Sequence, residues 1–255
     1  RAWALLGFWL LACSAGEPAR NAGDASTRAP TASDAGPGRW EDRTITSQGG
    51  GVIVEKVSYR SADLRVFGQL CRPEAGGRHP LIVNNHGGFD GIAMDWNGGP
   101  CRDQATQGFV AIESAYRGED GSDGSIEVCR GEVDDVLAML AIARDEPYVD
   151  PDHVVMLGGS HGGCIKLRAL QKGAAVRAAV ALVPPTDWAA EYAFWADGLA
   201  SGRETPAQNA TWRRLIEQLA RSTGGTPSEV PHEYEARSPL AFVRQLDEWR
   251  GALLV

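Results

Sequence analysis

The sequence predicts an α/β fold in which helices cover both faces of a mostly parallel central sheet. Three observations support this prediction. Continuous apolar segments at 80–85, 108–116, 153–157 and 178–183 are typical of strands that are buried on both faces. Helical patterns separate these segments, and such alternation favours an open parallel sheet. The chain has 255 residues, of which 43% are hydrophobic, and this is enough for one large domain with a full core.

The folded region is predicted to cover 51–255. It begins with two segments, 51–61 and 64–74, that alternate apolar and polar residues like antiparallel edge strands. The clearest helical pattern lies at 131–147, where apolar residues recur on one face and two aspartates stand near the positive end of the helix dipole. These elements place the apolar strands between helices.

The amino-terminal residues 1–50 are predicted to lie outside this domain. Residues 1–12 join a basic first residue to an apolar run that is shorter than the about 20 residues needed to span a bilayer, as in a secretory signal peptide. The run ends in LLAC, which resembles the bacterial lipobox, so we expect lipidation of Cys13. Residues 13–50 are rich in Ala, Gly, Ser, Pro and Asp, a composition typical of a disordered tether. We therefore expect a lipid-anchored protein of the bacterial cell envelope, periplasmic or on the outer surface. A buried helix at 1–12 is the alternative.

Charge and composition narrow the expected partners. The formal net charge is −8 and no basic patch is visible, so nucleic acid is not expected as a partner. We predict no cofactor. The carboxylates at 117–127 do not follow the spacing of an EF-hand loop, so we also predict no metal. In an oxidising compartment the four remaining cysteines allow three disulfide pairings; they are Cys71, Cys101, Cys129 and Cys164.

A glycine-rich motif at 154–167, VVMLGGSHGGCIKL, indicates a catalytic site. Ser160 stands in a G-x-S-x-G pattern between a predicted strand and a predicted helix, which is the position of a nucleophile elbow. A sharp strand-to-helix turn leaves no room for Cβ atoms beside the serine, and the helix amino terminus favours developing negative charge. We therefore predict that Ser160 is a catalytic nucleophile. The alternative is a glycine-rich turn with a helix-capping serine.

A serine hydroxyl needs a base and an oxyanion hole in order to attack. The segment NNHGGF at 84–89 ends the first buried strand and matches the HGG-type loop that supplies one oxyanion N–H. The other N–H comes from the residue after the serine. We expect the backbone N–H groups of Gly88 or Phe89 and of His161 to form this hole. His86 is expected to fix the loop by hydrogen bonding.

Four segments together resemble the catalytic domain of the prolyl oligopeptidase family of α/β-hydrolases. They are HPLIVNNHGG at 79–88, AYRGEDGSDG at 115–124, YVDPDHVVMLGGSHGG at 148–163 and SPLAFV at 238–243. The resemblance implies the α/β-hydrolase fold, a Ser, Asp, His triad and cleavage of peptide bonds, often in short peptides. Members commonly carry a β-propeller before this domain. Here a tether is expected instead, so a carboxylesterase or related acyl hydrolase on the same fold is the alternative.

The acid and the base of the triad follow the serine along this fold, and the acid usually comes after the seventh strand. Residues 250–255 have the pattern of that strand. We therefore expect the acid, the base and the final strand and helix to lie beyond Val255, and this chain by itself to be inactive. A triad of Ser160, Asp187 and His232 is the in-chain alternative.

The aromatic-rich segment 188–237 is predicted to form a helical, cap-like insertion over the active site, with plain packing as the alternative. Arg117 and Trp188 are expected to contact the substrate, and for Arg117 a structural ion pair is the alternative. Three functions remain open. They are a lipid-anchored serine peptidase acting on small peptides, an esterase acting on small esters, and a binding lipoprotein without catalysis.

Replacing Cys13 by alanine tests the predicted anchor. If residues 10–13 form a lipobox, the mature chain begins at Cys13 and partitions into detergent, so the C13A variant should lose both processing and partitioning. Detergent phase separation and the mass of the mature protein measure this. Unchanged partitioning together with an unchanged mature mass would exclude the anchor.

Overall fold

The computed structural model describes residues 38–92, 96–247 and 249–255, and these residues contain eight strands and seven helices. The predicted signal peptide at 1–12, the lipidation site at Cys13 and most of the predicted tether lie outside the described residues. No helix of the described part is long and apolar enough to cross a membrane. The strands are β1 Trp40–Gly49, β2 Val52–Ser61, β3 Leu64–Pro73, β4 His79–Asn85, β5 Val110–Ser114, β6 Val149–Gly159, β7 Ala178–Leu182 and β8 Ala252–Leu254.

The strands form one sheet in the order β1-β2-β3-β5-β4-β6-β7-β8. The first three neighbouring pairs in this order are antiparallel, and the remaining four are parallel. Because the strands from β5 to β8 run in the same direction, their carboxyl ends lie at one edge of the sheet, where α/β proteins place their sites. The predicted mostly parallel sheet is confirmed.

Helices cover both faces of this sheet. They are α1 Gly99–Thr106, α2 Gly131–Arg144, α3 His161–Gln171, α4 Trp188–Ser201, α5 Pro206–Thr223, α6 Pro231–Glu235 and a 3₁₀ helix at Pro239–Leu246. Side chains of β4 alternate between two cores, because successive residues of a strand point to opposite faces. Leu81 and Val83 lie in the larger core with residues of α2 and α3, whereas Ile82 lies in the smaller core with residues of α1.

Strand β1 corrects the prediction that the tether extends to residue 50. Its residues are mostly polar and exposed, so apolar periodicity could not reveal it. The strand pairs antiparallel with β2, and its side chains add specific contacts. The Trp40 indole donates a hydrogen bond of 2.6 Å to Glu146, and Arg43 forms ion pairs with Glu55 and Glu146. Backbone pairing and ion pairs therefore hold this edge strand in place.

Two disulfides resolve the pairing that the sequence left open. Cys71 of β3 is bonded to Cys101 of α1, and Cys129 is bonded to Cys164 of α3. The second bond ties the loop before α2 to the helix that follows the predicted nucleophile. This loop is also bound by Glu132, whose carboxylate accepts backbone hydrogen bonds from three loop residues.

Arg117 forms a structural ion pair, which is the alternative that the sequence left open, and its contact with substrate stays a prediction. Its Nε and Nη2 atoms both donate to the fully buried carboxylate of Asp135 on α2, and Nη1 donates to Glu127 at 2.7 Å. The two carboxylates thus occupy all three guanidinium nitrogens. The pair links the loop after β5 to α2 and stabilises the loop that precedes this helix.

Replacing Arg117 by methionine should lower the free energy of unfolding by about 3–5 kcal/mol, because the Asp135 carboxylate stays buried without its partner. Urea denaturation measures the change. Arg214→Met is the matched control, since its ion pair with Asp90 is exposed and is expected to contribute less than about 1 kcal/mol. An unchanged unfolding free energy combined with a raised KM would instead support substrate contact by Arg117.

Candidate active site

Ser160 occupies a strained turn between β6 and α3. Its φ is 50° and its ψ is −125°, a backbone conformation that non-glycine residues rarely adopt and that is concentrated at functional sites. The Ser160 N–H donates to the carbonyl of Leu182 at the end of β7, and the Ser160 carbonyl accepts from Cys164 in the first turn of α3. The residue itself is exposed to solvent. The turn therefore presents the hydroxyl at the carboxyl edge of the sheet.

Glycines flank Ser160 because neighbouring backbone leaves no space for side chains. A Cβ atom on Gly158 would overlap the carbonyl of Gly162, and one on Gly162 would overlap the carbonyls of Asn85 and His86. The first turn of α3 therefore packs directly against the end of β4. A Cβ atom on Gly87 would lie 3.3 Å from the Cβ of Ser160, which places the HGG loop beside the serine.

The His161 side chain is buried and both of its nitrogens are engaged. Nε2 accepts a hydrogen bond of 3.0 Å from the N–H of Cys129, and Nδ1 lies 3.2 Å from the carbonyl oxygen of Gly88. Burial lowers the pKa of the imidazole to about 3. The ring also packs against Phe89, with the ring centres 4.9 Å apart. With both nitrogens engaged, the imidazole cannot serve as the base for Ser160.

His86 lies in the HGG loop with its imidazole largely buried. The ring stacks on Tyr116 at 4.1 Å, and Nδ1 lies 3.2 Å from the carbonyl of Gly87. Its Nε2 faces Glu119 Oε2 at 3.6 Å. Burial lowers the pKa of His86 to about 4 and raises the pKa of Glu119 to about 8, so both side chains are mainly neutral near pH 7. These contacts restrain the HGG loop on its buried side.

Asp187 and His232 each have partners other than Ser160. The Asp187 carboxylate caps α4 by accepting from the N–H groups of Ala189 and Ala190. The His232 side chain is 74% exposed, and its Nε2 lies 3.6 Å from Glu233. The contacts of the described residues therefore do not join these side chains into a triad with Ser160. The expectation that the acid and base follow Val255 stays a prediction.

The Trp188 side chain is buried, and its contact with substrate stays a prediction. The side chain is only 2% exposed, and its indole N–H lies 3.3 Å from the sulfur of Cys164. The ring packs edge-on against Trp195 and His161. Trp188 therefore packs against the first turn of α3, which directly follows Ser160. Helices α4, α5 and α6 occupy the predicted insertion at 188–237, and their role as a cap stays a prediction.

Sequence reasoning missed two contacts of the site. The His161 imidazole joins residues 32 and 73 positions away, and Glu119 faces His86 across the loops after β4 and β5. Neither contact leaves a local signal, because each depends on how distant loops meet. Among the described residues, no group of three or more His, Cys, Asp or Glu side chains is placed to hold a metal ion.

Known proteins resemble this chain in sequence or in fold. An uncharacterized peptidase of Bacillus subtilis, YtmA, is 28% identical over 207 residues, which are 81% of this chain and 74% of that protein. Acetyl xylan esterase 1 from Thermoanaerobacterium sp. is similar with a TM-score of 0.58 and 18% identity, covering 83% of this chain and 70% of that chain. Pyrococcus horikoshii acylaminoacyl peptidase has a TM-score of 0.56 and 20% identity, covering 78% of this chain and 30% of that chain.

The two solved structures establish the fold, which is that of the α/β-hydrolases. The family described as X-Pro dipeptidyl-peptidase (S15 family) matches residues 44–243, which include every described residue of the elbow and of the HGG loop. The resemblance to the prolyl oligopeptidase family is not tested by this match and stays a prediction. Since the match covers most of the chain, the protein belongs to the X-Pro dipeptidyl-peptidase (S15) family.

Proposed function

We propose that this protein is a serine hydrolase that cleaves peptide bonds through an acyl-enzyme intermediate on Ser160. The observation that carries the proposal is the position of this serine, exposed at positive φ at the start of α3 and directly beside the HGG loop. Strain at an exposed residue costs stability, so its presence at the edge of the sheet favours a functional role. The family membership supports the same chemistry.

The proposed reaction has two steps. The Ser160 oxygen attacks the carbonyl carbon of the scissile bond while a general base takes the hydroxyl proton. The tetrahedral intermediate collapses, the C–N bond breaks, and the departing amine takes that proton. Water then attacks the Ser160 ester, which releases the acid and restores the hydroxyl. The backbone N–H groups of His161 and of Gly88 or Phe89 would stabilise the negative oxygen that forms in each step.

Peptides are the favoured substrates of this proposal because the matching family is one of dipeptidyl-peptidases and because YtmA is named a peptidase. The finer proposal is a prolyl oligopeptidase-like enzyme acting on small peptides. Acetyl xylan esterase shares the fold at 18% identity, which makes an esterase the competing function. The lipid anchor at Cys13 and the envelope location belong to the same proposal and rest on the sequence alone.

A fluorophosphonate should label the full-length native protein at Ser160, because the probe reacts with an activated serine. Peptide mapping by mass spectrometry locates the adduct. The Ser160→Ala variant should lose labelling and turnover, whereas Ser125→Ala, a change at another exposed serine, should retain both. Labelling that survives in the Ser160→Ala protein would refute the assignment.

Comparison of amide and ester substrates decides between peptidase and esterase. An Xaa-Pro p-nitroanilide and p-nitrophenyl acetate are offered to the same full-length preparation, and kcat/KM is measured for each. We expect turnover of the amide that disappears in Ser160→Ala. Turnover confined to the acetate ester would contradict the peptidase proposal while leaving a serine hydrolase.

A further inference from the structure

We propose that the His161 imidazole is a positioning residue that holds the Gly88–Phe89 peptide, so that the N–H of Phe89 serves as the second donor of the oxyanion hole. The inference rests on the proposed function. It assigns a role to the side chain of a residue whose backbone N–H is itself expected to be the first donor.

The partners of the ring fix which nitrogen carries the proton. The N–H of Cys129 can only donate, so Nε2, which lies 3.0 Å from it, must accept and is unprotonated. The proton of the neutral ring then resides on Nδ1, which donates to the carbonyl oxygen of Gly88 at 3.2 Å. Burial also favours the neutral ring, in agreement with a pKa lowered to about 3.

The hydrogen bond to Gly88 also sets the direction of the Phe89 N–H. The carbonyl of Gly88 and the N–H of Phe89 belong to one peptide unit, and in a trans peptide these two groups point in opposite directions. The described residues contain no cis peptide bond. Because the carbonyl is directed at the buried His161 ring, the N–H is directed away from it. Gly88 has a φ of 76°, a conformation that glycine adopts without strain.

The imidazole is itself held firmly. Phe89, Tyr116 and Trp188 surround the ring, with ring centres 4.9, 6.1 and 6.2 Å away. The donor residue Cys129 is tied by its disulfide to Cys164, one turn along α3 from His161. Helix α3 therefore holds the ring on two sides. His161 itself belongs to this helix, and the disulfide ties its donor Cys129 to the same helix. One residue thus couples the two halves of the oxyanion hole.

Two substitutions in the full-length native protein test this role, and both keep the backbone N–H of residue 161. In His161→Gln, a planar amide offers a donor to Gly88 and an acceptor to Cys129, so kcat should stay within about tenfold of wild type. In His161→Leu neither hydrogen bond forms, and kcat should fall about 100- to 1000-fold, as for loss of one oxyanion donor, with KM changed less than about threefold. His153→Leu, at an exposed histidine on β6, is the matched control and should leave kcat unchanged.

The kcat and KM comparison separates positioning from stability, and circular dichroism identifies variants that do not fold. If His161→Leu is unfolded, the Gln variant decides. A folded Gln variant with near-normal kcat supports the inference, and one that loses 100-fold or more overturns it. Full activity in a folded His161→Leu protein also overturns it.

Nitrogen-15 NMR of the His161 ring in the Ser160→Ala protein gives a readout that does not depend on turnover. We expect a neutral ring protonated at Nδ1 from pH 5 to pH 8. A proton on Nε2, or a charged ring in this range, would overturn the inference. Absence of fluorophosphonate labelling at Ser160 in wild type would instead refute the proposed function, so the two failures are distinguishable.

Discussion

The close approach between the first turn of α3 and the end of β4 is the constraint on which the site depends. Only glycine fits at Gly162, because a Cβ atom there would overlap the carbonyls of Asn85 and His86. This approach places Ser160 beside the HGG loop and brings the His161 ring within hydrogen-bond distance of the Gly88 carbonyl. A larger residue at this position would separate the elbow from the loop, and the two halves of the proposed oxyanion hole would no longer meet.

Behind the elbow, the side chains of His161 and Glu132 form a buried hydrogen-bond network with the backbone of neighbouring loops. The His161 ring bridges Gly88 and Cys129, and Glu132 accepts three backbone hydrogen bonds from the loop that contains Cys129. Networks of this kind rigidify a site when their members are satisfied. Fixed backbone dipoles stabilise a developing charge without reorganising during the reaction. Trp188 contributes here, because its ring packs edge-on against the His161 imidazole.

The sequence predicted the parts of the fold that depend on local pattern. The apolar run at 80–85 is strand β4, and the glycine-serine motif after 153–157 is the turn between β6 and α3. Strand β1 was not predicted because it is a polar edge strand, which backbone pairing and ion pairs hold in place. The sequence could not decide between an ion pair and substrate contact for Arg117, because its partner Asp135 lies 18 positions away on a helix, where spacing gives no signal. Burial and distant pairing decide such roles, and both arise only when the chain folds.

We infer that a negative oxygen formed at Ser160 is bound by the N–H groups of His161 and Phe89. The most direct test is a crystal structure of the native protein after reaction with a fluorophosphonate, whose phosphonyl oxygen stands in for the oxyanion. We expect this oxygen to lie about 2.7–3.1 Å from both backbone nitrogens, with the Gly88 carbonyl still hydrogen-bonded to the His161 ring. A phosphonyl oxygen that faces solvent, or an adduct on a residue other than Ser160, would contradict it.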